Sequence, residues 1–287
     1  MSAVFRHELR NDFHALTTYL FGACLLAFIG LWAMMYNIQA SVSNFEFVLA
    51  DSCLIFAVIV PILTMRTVAE ERRQKTDQLL YSLPITTLQV VLGKFLALIA
   101  VFAVPLGIIA VYPLIFARFG EVYLPTSYGS LFAFFLLGAA LLAVGMFLSS
   151  LTENQGFAAG IGIAVILLNY YSVSLSEYVS ATAFGSAAAV YVLILLLGAR
   201  IRYLTKNEKL AWGVGIALLI PAMAVYIFSP QTFEGLLPKV MTQLSLFERF
   251  YTFVNGVFDW TAVVYYVSVA GFFLFLTVQS LEKRRYN

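Results

Sequence analysis

Apolar residues fall in eight long runs separated by short polar stretches, and each run is about as long as a helix must be to cross a bilayer. About 20 mostly apolar residues cover a hydrocarbon core of about 30 Å. The runs occupy residues 17–36, 47–65, 88–117, 128–151, 156–173, 183–199, 210–228 and 259–281. The third is long enough to tilt, to kink at Pro105 or Pro113, or to extend past the bilayer, and periodicity does not decide among these. The sixth is the shortest; if it pairs with the seventh as a membrane-dipping hairpin, the full spans number six. The pattern predicts an all-α fold, a polytopic transmembrane helical bundle forming one domain over residues 1–287.

Three segments between or before the runs are amphipathic rather than uniformly apolar. In residues 1–16, Val4, Phe5, Leu9, Phe13 and Leu16 recur at helical spacing while Arg6, Arg10 and Asp12 lie away from that stripe, which predicts an interfacial helix. Glu8 and Asp12 and the lack of a small-residue cleavage site argue against a cleavable signal peptide. In residues 68–84, Ala69, Arg72, Arg73, Thr76, Leu79, Leu80 and Leu83 gather on one face, with Glu70, Gln74, Asp77, Gln78 and Tyr81 opposite. Pro84 ends that helix, and Thr86 is placed to cap the next one. From composition alone, this segment is equally well read as a solvated basic loop on the headgroups. In residues 229–258, Leu237, Val240, Met241, Leu244, Phe247, Phe250, Tyr251 and Val254 mark an outer segment that lies in the interface or re-enters the membrane.

Composition agrees with the pattern: 62% of residues are hydrophobic and 11% charged, against roughly 25% charged in a soluble domain. Soluble enzymes and disordered regions are excluded, and a net charge of +2 is too mild for a nucleic-acid binder. The placement of the cations matters more than their sum. With the N-terminus inside, fourteen of the 17 lysines and arginines fall on the cytoplasmic side, so both termini are expected there. The only histidines, His7 and His14, precede the first run, which argues against haem ligation and intramembrane metalloprotease or Ser-His chemistry. Cys24 and Cys53 sit inside apolar runs and suggest neither a disulfide scaffold nor a metal site. Asp51 lies only a few residues into the second run, where an interfacial carboxylate is the simplest reading. Gly93-Lys94-Phe95 lacks the rest of a phosphate-binding loop, and residues 229–258 are too few to fold as a nucleotide-binding domain. Any energy input must therefore come from another polypeptide.

Several blocks resemble a known family. Glu70-Glu71-Arg72-Arg73, Thr76, Leu79-Leu80, residues 82–86 (SLPIT) and residues 90–95 (VVLGKF) are similar to the signature of ABC-2-type transporter permeases, which lies between the second and third spans. A second set, residues 244–247 (LSLF), Phe250, residues 256–259 (GVFD), residues 264–266 (VYY) and residues 280–285 (SLEKRR), resembles the gliding-motility-associated branch. Residues 149–155 (SSLTENQ) extend the likeness to the turn after the fourth span, whereas residues 183–228 look like a helical pair added to a six-helix pattern.

The resemblance implies a permease subunit of an ATP-driven transporter, an exporter in a bacterial inner membrane, that is not itself an enzyme. It implies an ABC ATPase as partner, carrying ATP and Mg, and a second permease copy or paralogue; no cofactor or metal is expected on this chain, and no nucleic acid. The segment after the second span would dock on the ATPase, through Glu70, Glu71, Arg72, Arg73, Thr76, Leu79 and Leu80. Phe247, Phe250 and Tyr251 are candidates for an outer gate, and Gly156 and Gly160 for close helix packing, with Gly162, Gly138 and Gly145 as further small-residue positions. An ion-coupled secondary carrier and a structural or assembly membrane protein are the alternative readings.

Overall fold

A peptide group in hydrocarbon has no water to bond to, so a chain this apolar satisfies its backbone within each segment. The computed structural model describes residues 2–75, 86–179, 181–205 and 208–285, and these contain helices and no strand. The helices are α1 (Ser2–His14), α2 (Leu16–Ala33, continued by a π-helical turn at Met34–Gln39), α3 (Glu46–Thr64), α4 (Ala69–Gln74), α5 (Thr87–Ile109), α6 (Tyr112–Phe116) and α7 (Leu124–Leu151). They continue with α8 (Gln155–Tyr170), α9 (Ser172–Tyr178), α10 (Ala183–Thr205), α11 (Glu208–Phe228), α12 (Leu236–Leu244), α13 (Leu246–Val254) and α14 (Trp260–Arg285). Among the described residues, five helices are long and apolar enough to cross a membrane alone, and up to seven if two bent pairs each count as one span. A shorter apolar helix, Ala183–Leu196, stands where the sixth run was expected.

The third run stands as one span of 30 residues, Thr87–Phe116, interrupted by a turn. Pro105 sits inside α5 without ending it, and the break comes at Ala110 and Val111, after which Pro113 opens α6. A proline is tolerated in the first turn of a helix because that N–H has no intrahelical partner to lose.

The chain divides into two compact units, Met1–Tyr170 with Leu246–Asn287, and Tyr171–Ser245. The first unit is centred on α7, which packs against α14, α3, α13, α8 and α5. Its middle is aromatic: Phe56 of α3 lies 4.6 Å from Phe134 of α7 and 5.3 Å from Phe102 of α5, ring centre to ring centre. Phe250 of α13 meets Phe134 edge-on at 5.8 Å, a geometry that places a ring's positive edge on its neighbour's negative face.

Close helix approach is made by particular glycines. A Cβ at Gly138 would overlap the Phe102 ring, and one at Gly145 would overlap the Thr64 hydroxyl. On α8 the contact glycine is Gly162, where a Cβ would sit 2.9 Å from Pro61 Cβ. The approaches expected at Gly156 and Gly160 are not made within the chain: both are exposed, and a Cβ at Gly160 would have no neighbour within 4 Å. They lie six and two residues before Gly162, on another face of the helix.

The second unit contains the antiparallel neighbours α10 and α11, with α9 packed on α12. Its turns are tied by the Gly235 N–H donating to the Ala181 carbonyl at 2.9 Å and by the Leu237 N–H donating to the Ser186 hydroxyl at 3.4 Å.

Replacing Gly145 by alanine is expected to destabilise the protein by about 1–3 kcal/mol, the usual cost of overpacking. Gly160→Ala, in open space on a helix, should be neutral or stabilising by up to about 1 kcal/mol. Thermal unfolding of the two variants in detergent compares them directly, and equal midpoints would contradict the assignment of Gly145 as a contact glycine.

Candidate functional site

A group of charged residues in the first unit gathers at one end of its bundle, around the joint between α3 and α4. Pro61 and Thr64 prepare the joint: the Thr64 hydroxyl turns back onto the Val60 and Pro61 carbonyls at 3.2 and 3.3 Å. After Val68 the chain enters α4, whose first N–H groups have no partner within the helix. The Glu70 N–H bonds back to the Arg66 carbonyl, while the Ala69 N–H and the Val68 N–H before it are met by a side chain from another span. Ser149, fully buried near the end of α7, accepts from the Val68 N–H at 3.3 Å and the Ala69 N–H at 3.1 Å and donates to the Met65 carbonyl at 3.0 Å. A hydroxyl has one donor and two acceptor positions, and these three bonds use them all.

Lys94 ties α4 to two more helices. It belongs to the first turns of α5, is only 3% exposed, and donates to Glu71 Oε1 of α4 at 2.6 Å and to Glu8 Oε1 of α1 at 3.1 Å. Burying an ammonium costs several kcal/mol unless carboxylates meet it with good geometry. One residue before it, Gly93 lets α1 come close: a Cβ there would sit 2.8 Å from Val4 Cγ1. The apolar stripe of α1 is thereby laid on α5, and Phe13 on the core.

Arg66 completes the cluster with a two-pronged contact to Glu70, at 2.7 and 3.1 Å, and a longer bond to the Thr17 hydroxyl at the start of α2. Gln74 donates to the same Glu70 at 3.1 Å. These groups border a cavity of about 580 Å³ that also takes in His7, Asn11 and Asp12 of α1. Burial first, and Glu8 second, push the Asp12 carboxyl up to about 6, against the opposing pull of Lys94 and Arg66.

The segment 149–155 closes the other side of the joint. Asn154 caps α8 by accepting from the Gly156 and Phe157 N–H groups at 3.0 and 3.3 Å. Glu153 is paired with Arg284 of α14 at 2.5 Å, which holds its carboxyl below the usual range, and the Ser280 hydroxyl donates to the Ser150 carbonyl at 3.3 Å. Among the described residues, no group of three or more His, Cys, Asp or Glu is placed to hold a metal ion.

A family model described as ABC-2 family transporter protein matches residues 29–176, just over half of the chain. The chain belongs to the ABC-2 transporter family. It is thus a multi-pass membrane protein and a permease component of an ABC transporter, not that transporter's catalytic part. No curated protein matches the chain. The matched stretch of the ABC-2 chain contains Arg66, Lys94 and Ser149 but neither Glu8 nor the residues after 176.

The residues proposed from sequence in this permease separate as follows. Glu70 and Glu71 are half-buried and bonded into the joint, Arg72 is buried, and Arg73 is exposed. The continuous helix expected as far as Pro84 is not formed: α4 stops at Gln74, because Lys75 turns into the left-handed region at φ 56°. Thr76, Leu79 and Leu80 lie outside the described residues. The expected cap at Thr86 is present as a reciprocal pair, its hydroxyl accepting from the Gln89 N–H and its own N–H donating to the Gln89 side chain.

At the opposite end of the first unit, Phe247 and Phe250 of α13 are fully buried and Tyr251 is half-buried. The α13 backbone is fastened at both ends: Asn169 accepts from the Leu246 N–H at 3.0 Å, Tyr266 donates to the Leu246 carbonyl at 2.8 Å, and Ser130 donates to the Phe253 carbonyl at 3.2 Å. Asp51 accepts from the Tyr36 hydroxyl at 2.5 Å, a contact presented by the π-helical turn that ends α2. Sequence reasoning passed over Lys94, Glu8, Arg66 and Ser149 as individual side chains. Lys94 is a cation inside a block otherwise as apolar as a span, and that mismatch was the available signal.

Lys94→Met should leave Glu8 and Glu71 facing each other and cost about 3–5 kcal/mol. Adding Glu8→Gln and Glu71→Gln should recover most of the loss in detergent unfolding; no recovery would contradict the pairing. Because the folded pKa of Asp12 is raised from 3.8 to about 6, the folded state holds a proton the unfolded chain has lost between those values. Its contribution to stability is therefore complete below about pH 4 and disappears as pH rises through about 6. Asp12→Asn should remove that decline from a plot of melting temperature against pH.

Proposed function

We propose that this permease is the exporter half of a bacterial inner-membrane ABC transporter, with the charged end in the cytoplasm and α4 as the element that receives motion from a separate ATPase. The single observation that carries this reading is the joint itself. The six residues of α4 are bonded to α1 and α5 through Lys94, to α7 through Ser149, and, through the Arg66–Glu70 pair, to α2. A helix this short has little stability of its own; its fixed position comes from these contacts. A push on it is therefore passed to several span ends at once, which is what a lever requires.

In this reading, ATP and Mg are bound by two ATPase subunits, and their approach presses on the cytoplasmic segment. Arg73 and the flanking residues Thr76, Leu79 and Leu80 make the docking contact, while Glu70, Glu71 and Arg72 hold the lever to the bundle. A second permease copy or paralogue completes the pathway between subunits. The placement of fourteen of the 17 cations on one side of the alternating runs supports both termini being cytoplasmic. The tail from Leu244 onward, with its likeness to gliding-motility-associated permeases, supports assigning the protein to that branch. Phe247, Phe250 and Tyr251, on a helix fastened at both ends, then act as the outer gate.

Two variants separate docking from transmission. Leu79→Asp combined with Leu80→Asp is expected to abolish co-purification of the ATPase while leaving membrane insertion intact. Ser149→Ala should keep the ATPase bound but lower coupled transport, since the capping hydroxyl contributes about 0.5–2 kcal/mol to holding α4 in place. Undiminished ATPase recovery with the double aspartate variant would overturn the docking assignment.

A further inference from the structure

The pair α10 and α11 has no part in the lever, and it contains a groove of its own. The groove, about 220 Å³, is walled by Ile194, Leu195, Ala199, Ile216 and Leu219, and has Arg202 and Trp212 at the end nearer the connection between the two helices. Gly198 and Gly215 open it by lacking side chains, and a Cβ at Gly215 would have no atom within 4 Å. It runs from Ile194 to Arg202, about 12 Å along a helix at 1.5 Å per residue, close to the roughly 15 Å of one bilayer leaflet.

We propose that this groove binds one anionic phospholipid of the surrounding membrane, an acyl chain lying between α10 and α11 and the headgroup phosphate meeting Arg202. The charge balance favours this occupant. Arg202 is exposed at the mouth of the groove, and from Arg200 to Lys209 the sequence carries Arg200, Arg202, Lys206 and Lys209 against Glu208 alone. Basic residues beside a span raise affinity for anionic headgroups by roughly fivefold each, whereas a zwitterionic headgroup brings its own cation to the same place. Trp212 at the mouth suits the boundary between headgroups and acyl chains. The inference concerns residues 183–228, the helical pair added to the family pattern, and holds whatever the protein transports.

The test uses the full chain with Trp32→Phe and Trp260→Phe, which leaves Trp212 as the single tryptophan of the original three. It is reconstituted in phosphatidylcholine vesicles containing either brominated phosphatidylglycerol or brominated phosphatidylcholine, and quenching of Trp212 fluorescence is followed. The phosphatidylglycerol should reach half-maximal quenching at about fivefold lower mole fraction, the effect of one favourable surface cation. Arg202→Gln should bring the two lipids together, Arg202→Lys should keep them apart, and Gly215→Leu should weaken quenching by both. Equal quenching by the two lipids in the parent protein, or a preference that survives Arg202→Gln, would overturn the proposal.

Discussion

An ammonium group taken out of water must be matched by carboxylates within hydrogen-bond reach, and in this permease the match for Lys94 comes from two different helices. Glu8 belongs to a helix that precedes the first span, and Glu71 to the short helix after the second. The six residues of α4 have little stability of their own, and α1 is joined to them through the same ammonium. The buried cation therefore decides where both of them sit, and the cavity beside it, the raised Asp12 carboxyl and the Arg66–Glu70 pair follow from bringing so many charges into one place.

The same joint depends on the central span being narrow. Gly138, Gly145 and Ser149 are spaced by seven and four residues, so they share one face of α7. The first two admit the Phe102 ring and the Thr64 side chain, and Ser149, a turn further on, then reaches the backbone of α4. In a bilayer there is no hydrophobic drive between helices, and close packing of this kind is a main source of their association. A bulky residue at Gly145 would move α3 away and with it the N–H groups that Ser149 caps.

How much of this was legible in the sequence depended on the range of the interaction. The apolar runs, the capping pair at Thr86 and the amphipathic stripe of α1 are local patterns with counterparts in the structure, though among the described residues five helices, or up to seven with the bent pairs, are long enough to span, against the eight runs. The end of α4 at Lys75 was not legible, since the apolar spacing through Leu83 continues past it and a left-handed residue there carries no glycine to announce it. Gly156 and Gly160 form the more conspicuous small-residue motif, yet the contact glycine is Gly162, because which face of α8 meets α3 is set by the neighbouring helix and not by the motif.

From the sequence alone came the class of molecule: too few charges for a water-facing surface, runs of bilayer length, and a block between the second and third runs that matches a transporter family. Only the tertiary structure decided which side chains make that block a joint. Glu8, Arg66, Glu71, Lys94 and Ser149 are spread over some 140 positions of the chain. The reason is physical: hydropathy and helix capping act between near neighbours, whereas neutralising a buried charge and satisfying a helix end can be done by whichever residue the packing brings within about 3 Å.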